Sequence, residues 1–500
     1  MRFTEYVSEF CSDDEECYRN DIDNAHAHEW LQEEIPLLEC PDKEIEKTYY
    51  FRWWVYRKHI KSTPEGIVVT EFLPDVPWSG RYNVINAAAG HHMMEGRWLR
   101  HADRYLSDYI RLFFNHPEEG MRYSSWLIWA AEAFHRVTGA LDLPSFLSKA
   151  VPHFRRWDKE RRTQCGLYWS VDDRDAMEFS ISGTKGGRAV RGIRPTLNSY
   201  MYGDASAIYD LSVESGHPLE EFHAYAEQIR GKMQNLLWRD GFYKALHPEK
   251  EDFSQVDKTA TRDVPRELIG YIPWYFRIPN PGQEDVFLLL KNPQVFATKF
   301  GITTAEQRHP RFLYPVEHEC LWNGYLWPFA TSQVLTGLIS AADSAKDPGI
   351  YAGLFCDLLK QYARQHTKTE TNGKSQMWID EVKAPYEDVW YSREKLRDRH
   401  WPKELGGYER GKDYNHSTFC DLVISGLAGV RAQGDTVLFR PMIPRSWPYF
   451  CMDKLIIRGR EYRIEYDRTG EKYGHRGWKV YRDAAEIPHA VSAVACEITP

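Results

Sequence analysis

Apolar residues recur every three or four positions through most of the chain from about residue 84 to residue 430. This spacing puts them on one face of a helix, so the pattern predicts a mainly helical region with few strands. Two clear helical faces consist of Trp126, Ala130, Phe134 and Val137, and of Leu219, Phe222, Ala226, Ile229, Met233 and Leu237. Further helices are predicted over residues 326–342, 350–366 and 417–430, with Pro328 tolerated in a first turn.

A loose repeat accompanies these helices. A helical stretch ends in charged residues, and a glycine and two or three aromatic or β-branched residues follow, at Trp54–Phe72, Trp157–Trp169 and Trp238–Tyr243. Such repeats predict helical hairpins packed side by side. When the array closes on itself it forms an α/α toroid, whose loops meet at one end and carry the functional residues.

After about residue 431 the pattern changes to short runs in which apolar and polar residues alternate. These runs are Thr436–Arg440, Lys454–Arg458, Glu461–Tyr466 and Gly477–Tyr481. They predict a small antiparallel β-module packed on the helices. We therefore expect three parts, namely an acidic N-terminal arm over 1–45 with a helix around 26–34, a helical barrel over 46–430, and the β-module over 431–500.

Charge and composition narrow the possible partners. The chain has 500 residues, a formal net charge of −8 and no long cluster of Lys and Arg. It therefore has no attraction for nucleic acid or an anionic membrane surface, and neither is an expected partner. No run of ~20 apolar residues is present to span a membrane, and the N-terminus has no apolar signal core, which favours a cytoplasmic protein.

Neither a metal nor a cofactor is expected. The nine cysteines are scattered singly, without the paired spacing of a zinc site, which predicts reduced thiols. His91 and His92 precede Glu95, but adjacent histidines on a helix point in different directions and make a poor ligand set. The glycine-rich run 183–188 has the wrong spacing for a phosphate loop and indicates a flap or a flexible connection.

The strongest chemical signal is an acidic run between aromatic residues. Its carboxylates are Asp172, Asp173, Asp175 and Glu178. Mutual repulsion and nearby apolar side chains raise the pKa of one member of such a group, and glycosidic bond cleavage requires a protonated carboxyl group beside the leaving oxygen. The alternative is a solvated acidic loop that pairs with neighbouring arginines.

Two later segments decide between these interpretations. Residues 320–332 contain Trp-x-Gly-x-x-Trp-Pro-x-x-Thr-Ser, beginning at Trp322, and residues 377–385 read Met-Trp-Ile-Asp-Glu-Val-Lys-Ala-Pro. Both segments resemble signatures of α/α-toroid glycosidases, particularly glycoside hydrolase family 63 and its mannosylglycerate-hydrolase-like relatives. The resemblance extends from about Tyr49 to Val430. It implies a mainly α (α/α)6 toroid, an O-glycosyl hydrolase activity and a carbohydrate substrate.

The resemblance also implies roles for the carboxylates. Residues 176–180 are similar to the turn that carries the general acid, which places Glu178 at the acid position, where the family usually has Asp; Asp175 is therefore a rival. Glu381, with Pro385 four residues later, is similar to the family's base. Asp380 and, more weakly, Glu409 compete with it. The implied reaction is a single displacement with inversion at a terminal sugar, with carboxyl groups ~6.5–9.5 Å apart; a separation of ~5–5.5 Å would mean retention.

The same comparison suggests three groups of substrate contacts. The first resembles an active-site loop of such toroids and consists of Trp78, Arg81, Tyr82 and Asn83. The carboxylate that usually follows its tryptophan is missing or is supplied by Asp75. The second group opens the helix after the acid turn, and the third forms the opposite walls: Arg194, Asn198 and Tyr202, then Trp322, Asn323, Trp327, Trp378 and Asp380.

Two other functions remain open from the sequence. A sugar epimerase or polysaccharide lyase on a similar toroid would rely on His or Tyr instead of two facing carboxylates. A non-catalytic carbohydrate-binding protein would need no acid with a raised pKa. The sugar and its linkage are not specified, because a fold does not determine its substrate.

Overall fold

The computed structural model describes residues 2–248, 252–253, 256, 264–369, 373–433 and 436–487. The helices are α1 Phe3–Ser12, α2 Ala27–Glu34, α3 Lys43–Lys58, α4 Asn86–Gly96, α5 Ala102–Asn115, α6 Pro117–Gly120, α7 Leu127–Thr138, α8 Leu143–Arg161, α9 Pro195–Glu214, α10 Glu220–Leu236, α11 Ile272–Tyr275, α12 Pro328–Ser344, α13 Pro348–Gln365, α14 Tyr391–Asp398 and α15 Cys420–Leu422, which a π-helical turn continues through Val423–Leu427.

The strands are short outside one sheet. They are β1 Leu37–Glu39, β2 Ile60–Thr63, β3 Gly66–Val69, β4 Trp169–Ser170, β5 Thr184–Lys185, β6 Arg188–Ala189, β7 Gly192–Ile193, β8 Trp238–Arg239, β9 Phe242–Tyr243, β10 Thr367–Thr369, β11 Ser375–Met377, β12 Val430–Gln433, β13 Thr436–Phe439, β14 Tyr449–Ile457, β15 Arg460–Asp467, β16 Gly477–Arg482 and β17 Ala485–Glu486.

The helices form an (α/α)6 toroid, which confirms the fold predicted from the sequence. Helices α4, α9 and α12 are buried on nearly every side, whereas α5, α8 and α10 each bury one apolar face. The buried helices form an inner ring in which α4 packs on α7 and α7 on α9. The outer helices cover them in hairpins, with α10 on α9 and α13 on α12. Burial of the apolar faces between the two rings creates the core.

The predicted helix positions are close to the observed ones, because the ends carry ordinary stop and start signals. Pro195 and Pro328 lie in the first turns of α9 and α12, where the missing N–H is not needed. Helix α7 ends at Gly139, whose positive φ of 74° suits glycine. Asp142 then caps α8 by accepting a hydrogen bond from the Ser145 N–H.

The C-terminal strands form an antiparallel sheet with an N-terminal partner. Its order is β1-β14-β15-β16-β17, and β1 pairs with β14 through Leu38 opposite Met452. The predicted runs at 454–458, 461–466 and 477–481 lie in β14, β15 and β16, but the run at 436–440 pairs with β12 in a separate hairpin. Residues from the expected arm thus complete the sheet of the expected β-module.

The N-terminal segment also packs on the toroid itself. Phe10 of α1 meets the rings of Phe51 and Trp54 of α3 at 5.5 and 6.0 Å. Asp14 forms a buried ion pair with Lys58, at 2.8 Å. The arm is therefore part of the folded unit, since removing it would expose an aromatic core and a buried charge.

Across the described ranges, no helix combines the length and apolar character needed to cross a membrane. The cysteines placed in these ranges are all free thiols, and most are buried. Cys496 lies outside the described residues.

Candidate active site

A cavity of about 300 Å³ lies at the end of the toroid where α4 and α12 begin. Four carboxylic acids from distant parts of the chain line it together with one guanidinium group, and aromatic rings provide most of the remaining wall. The charged residues are Glu71, Glu178, Glu319, Glu381 and Arg410. A small concave site with a few convergent polar groups among aromatic side chains is the usual form of a ligand-binding site.

A larger cavity, of about 420 Å³, lies at the other end of the inner helices, but its charged groups are already paired. Arg97 forms a 2.7 Å ion pair with Asp421, and Arg136 one of 2.9 Å with Asp210. These arginines neutralise carboxylates near the carbonyl ends of the helices, where positive charge is favourable. The first cavity, with its four carboxylic acids, is therefore the better candidate for the active site.

Glu178 lies on a tight turn that presents its side chain to the first cavity. Ala176 and Phe179 both have left-handed backbone angles, with φ of 55° and 59°. Such conformations are costly for residues other than glycine and often occur at functional sites. The Trp322 N–H donates a 3.0 Å hydrogen bond to the Glu178 carbonyl, which fixes the turn against the loop before α12.

The environment of Glu178 favours its protonated form. Burial raises the pKa of this carboxyl to about 8, and the negative charge of Glu381 adds to the increase. Within the part of the chain that the structure describes, no Lys or Arg forms an ion pair with Glu178. A carboxyl group in this position keeps its proton at neutral pH and can donate it.

Glu381 has the opposite environment. The Arg410 Nη2 lies 3.4 Å from its Oε2, and the Cys320 thiol donates a hydrogen bond to its Oε1 at 3.1 Å. Arg410 also pairs with Glu319 at 3.0 Å and is stacked between the rings of Trp78 and Trp401. A cation and a hydrogen-bond donor thus hold the two carboxyl oxygens of Glu381 in place.

Glu71 is a third acid of this cavity that sequence reasoning missed. Its Oε1 accepts a 2.6 Å hydrogen bond from the Tyr414 hydroxyl, and burial raises the pKa of Glu71 to about 8. Asp75, which the sequence offered as the loop's carboxylate, is exposed and does not line the cavity. Glu71 thus provides the carboxyl group near Trp78 that the sequence after Trp78 lacks.

The two buried aspartates of the acidic run bond to neighbouring side chains. Asp175 is fully buried, with its Oδ2 2.7 Å from the Arg194 Nε and its Oδ1 accepting a hydrogen bond from Ser124. Asp172 accepts hydrogen bonds from Ser180 and Thr184, both at 3.2 Å. Neither residue lines the cavity, so the structure places only Glu178 of this run there.

Replacing Asp175 by Asn is expected to reduce stability more than it affects chemistry, because it leaves the buried Arg194 without its counter-charge. Removing one partner of a buried ion pair costs ~3–5 kcal/mol, whereas an exposed substitution stays within about ±0.5 kcal/mol. Urea denaturation measures the difference, with Asp173→Asn as the exposed control. Equal stability of the two variants would show that the Asp175–Arg194 pair contributes nothing.

Of the four substrate contacts predicted on the loop containing Trp78, only Trp78 lines the cavity. Asn83 donates to the carbonyls of Phe72 and Pro74 and accepts from the Val76 N–H, so it shapes the loop. Both Arg81 and Tyr82 instead contact Glu65, at 2.8 and 3.0 Å.

The residues predicted after the acid turn lie behind the cavity. Arg194 bonds Asp175 and also donates to Ser182, at 3.0 Å. Asn198 bonds the backbone of Tyr168 in both directions, at 2.8 Å, and Tyr202 packs against the hydrophobic core. None of the three lines the cavity.

The tryptophan-rich loop before α12 contributes one wall. Trp327 lines the cavity and is stacked on Trp322, with ring centroids 4.4 Å apart. Asn323 faces a different cavity, which Phe179 also lines.

The other residues predicted near Glu381 bond to the backbone or to side chains outside the cavity. Asp380 accepts a 2.8 Å hydrogen bond from the Glu381 N–H and another from Ser392. Burial raises the pKa of Asp380 to about 6. Trp378 is packed under Lys368 and Arg393, and Glu409 pairs with Arg393 at 2.6 Å. None of the residues Asp380, Trp378 and Glu409 lines the cavity.

Of the residues considered as metal ligands, His92 and Glu95 bond to other groups, and the His91 ring is enclosed by aromatic side chains. The ring nitrogens of His92 contact the Tyr109 hydroxyl, at 2.8 Å, and the Asn415 carbonyl, at 2.5 Å. The His91 ring is packed between Trp126 and Phe329. Glu95 accepts from the backbone N–H groups of Phe419, Cys420 and Asp421, at the start of α15.

Comparison with known proteins agrees with this architecture. The sequence model of the mannosylglycerate hydrolase MGH1-like glycoside hydrolase domain matches residues 81–417. A solved structure described as a sialidase is 32% identical over 99% of this chain, with a TM-score of 0.86. This chain spans only 44% of the length of that relative.

Two further solved structures are more distant in sequence. An α-L-rhamnosidase from Streptomyces avermitilis, complexed with L-rhamnose, is 12% identical over 90% of this chain and 37% of its own, with a TM-score of 0.52. A family 63 mannosylglycerate hydrolase from Thermus thermophilus, complexed with Tris, is 12% identical over 69% of this chain and 98% of its own, with a TM-score of 0.48.

Proposed function

The chain belongs to the mannosylglycerate hydrolase MGH1-like glycoside hydrolase family, and from this premise we propose that it removes a terminal sugar with inversion, using Glu178 as general acid and Glu381 as general base. Membership of a glycoside hydrolase family favours hydrolysis over the epimerase, lyase and binding-protein alternatives. The observation that carries the assignment of roles is the contrast between two carboxyl groups of one cavity.

This contrast matches the two tasks of an inverting glycosidase. Glu178 has a pKa raised to about 8 and no paired cation among the described residues, so it holds a proton at neutral pH. Glu381 instead has a cationic partner, Arg410, and accepts a hydrogen bond from the Cys320 thiol. Two titratable groups with such different environments identify an acid and a base.

In the proposed reaction Glu178 gives up one proton and Glu381 takes up one proton. Glu178 gives its proton to the glycosidic oxygen, and the C–O bond to the anomeric carbon breaks as the alcohol leaves. Water attacks the opposite face of that carbon and loses a proton to Glu381. Arg410 acts as a positioning residue that holds the Glu381 carboxyl group in place. A cavity of about 300 Å³ is at the small end of ligand sites, which favours one terminal sugar over a polymer segment.

The experiment that tests this function is a substrate panel followed by NMR. Aryl α- and β-glycosides of mannose, glucose, rhamnose and sialic acid, together with mannosylglycerate, cover the activities named for the similar proteins. Proton NMR during the hydrolysis of the best substrate identifies the first anomer released. We expect the anomer opposite to that of the substrate; release of the same anomer would contradict inversion, and no release from any panel member would contradict the proposed function.

The activity is expected to fall as the pH rises through about 8. Glu178 must be protonated to act as acid, so its contribution to kcat/KM is present below this pKa and is lost as the pH rises through it. A pH profile of kcat/KM measures the effect. Because Glu71 has a similarly raised pKa, Glu71→Gln is the informative comparison. The alkaline decrease should persist in Glu71→Gln and disappear from the residual activity of Glu178→Gln; the reverse pattern would make Glu71 the acid.

A further inference from the structure

A second cavity, of about 360 Å³, lies on the other side of the acid turn. Phe179, Tyr314 and Val316 give it an apolar lining, and the backbone of Gly186 and Gly187 forms one edge. Tyr314 is 61% exposed, which places a large aromatic ring at the rim. The first cavity does not use any of these residues.

The acid turn separates the two cavities. Glu178 lines the first cavity and its neighbour Phe179 lines the second, because the left-handed φ of 59° at Phe179 turns the chain between them. The Phe179 ring is 4.9 Å from the ring of His318, which lines the first cavity. The second cavity therefore begins next to the proposed proton donor.

We propose that the second cavity binds the leaving group of the substrate and that this group has an apolar, aromatic or aliphatic body. The proposal rests on the proposed function, since a general acid must lie beside the oxygen of the leaving group. A substrate with its terminal sugar in the first cavity then extends past Glu178, towards Phe179 and Tyr314.

The polar groups around the second cavity explain why an apolar leaving group fits better than another sugar. Arg311 Nη1 donates to the carbonyls of Ile181 and Thr184, at 2.9 and 2.8 Å. The Thr184 hydroxyl contacts Asp172, at 3.2 Å, and Asn323 Nδ2 donates to the Tyr314 carbonyl, at 2.9 Å. These particular atoms are already bonded, and the rest of the lining is mainly apolar, so a sugar with several hydroxyls would lose hydrogen bonds to water without full replacement.

The lining also contains a buried polar atom that is available for recognition. Asn323 is 4% exposed, and its buried Oδ1 has no hydrogen-bond partner among the described residues. A leaving group with a single donor, such as a hydroxyl or an amide N–H on an otherwise apolar body, would satisfy this oxygen. An apolar site with one well-placed polar group gives both affinity and orientation.

The test compares glycosides that share the sugar found active in the panel. Methyl and 2-phenylethyl glycosides release alcohols of similar basicity, so their difference reports binding of the leaving group and not its chemistry; a disaccharide with the same terminal sugar is the polar comparison. We expect kcat/KM to be roughly tenfold higher for the 2-phenylethyl glycoside than for the methyl glycoside. The disaccharide should show no such gain.

Two variants locate the effect. Tyr314→Ala and Val316→Asp are expected to remove the preference for the 2-phenylethyl group, the second by placing a charge in the apolar lining. Tyr386→Ala removes an equally exposed tyrosine outside both cavities and should keep it. Equal rates for the methyl and 2-phenylethyl glycosides in the wild type, a preference for the disaccharide, or a preference unchanged in both variants would overturn the inference. Failure of the proposed function is distinct, because no glycoside would then be hydrolysed.

Discussion

Replacing Glu381 by Gln is expected to lower kcat on every substrate by ~10³-fold or more, within the range attributed to general bases and their activation of water. Gln has nearly the same shape and still fits beside Arg410 and Cys320, but it cannot accept the proton of the attacking water. The loss should not depend on the leaving group, because water must be activated for all of them. Steady-state kinetics on the best panel substrate measures it.

Glu409→Gln is the matched control for Glu381→Gln. Glu409 is a competing base in the sequence, but its carboxylate pairs with Arg393 and does not line the cavity. This variant should keep wild-type kcat. If Glu409→Gln loses as much activity as Glu381→Gln, the base has been assigned to the wrong glutamate.

Replacing Glu178 by Gln is expected to lower kcat by ~10²–10⁴-fold on substrates with basic leaving groups, which need protonation to depart. The loss should shrink across a series of aryl glycosides as the released phenol becomes more acidic. A plot of log kcat against the pKa of the phenol should therefore be steeper for the variant than for the wild type.

Asp173→Asn is the control for this second prediction, since Asp173 belongs to the same acidic run but is exposed. It should show the wild-type slope. A Glu178→Gln variant with unchanged slope and unchanged kcat would remove Glu178 from the mechanism.

The toroid and the candidate glutamates Glu178 and Glu381 could be predicted from the sequence because the patterns that indicate them are local. Helical periodicity and first-turn prolines such as Pro328 specify elements within a few residues. The motifs around Trp322 and Glu381 are likewise contiguous, so they can be recognised without knowledge of the fold. The structure places Glu178 and Glu381, about two hundred residues apart in sequence, in the lining of one cavity.

The missed residues have partners far away in sequence. Glu71 follows the β2–β3 hairpin and accepts a hydrogen bond from Tyr414. Arg410 forms ion pairs with Glu319 and Glu381. No spacing pattern marks such contacts. The three-residue strand β1 is too short to show alternation, so its place in the C-terminal sheet could not be predicted either.

The choice within the acidic run needed tertiary structure for the same reason. The sequence left Asp175 as a rival of Glu178, and the structure separates the two, because Asp175 is buried against Arg194 and Glu178 lines the cavity. The Asp175 carboxyl group is enclosed against Arg194 and does not line the cavity. Glu178 has no such partner among the described residues and faces the cavity.

The most direct measurement of the central claim is the hydrolysis of a glycosyl fluoride by both variants. Fluoride departs without a proton, so this substrate needs the base but not the acid. Relative to wild type, Glu178→Gln should retain most of its kcat on the fluoride of matching anomeric configuration, while Glu381→Gln should lose it as severely as on the O-glycoside. Equal losses for the two variants on the fluoride, or retention by Glu381→Gln, would contradict the assignment of Glu178 as acid and Glu381 as base.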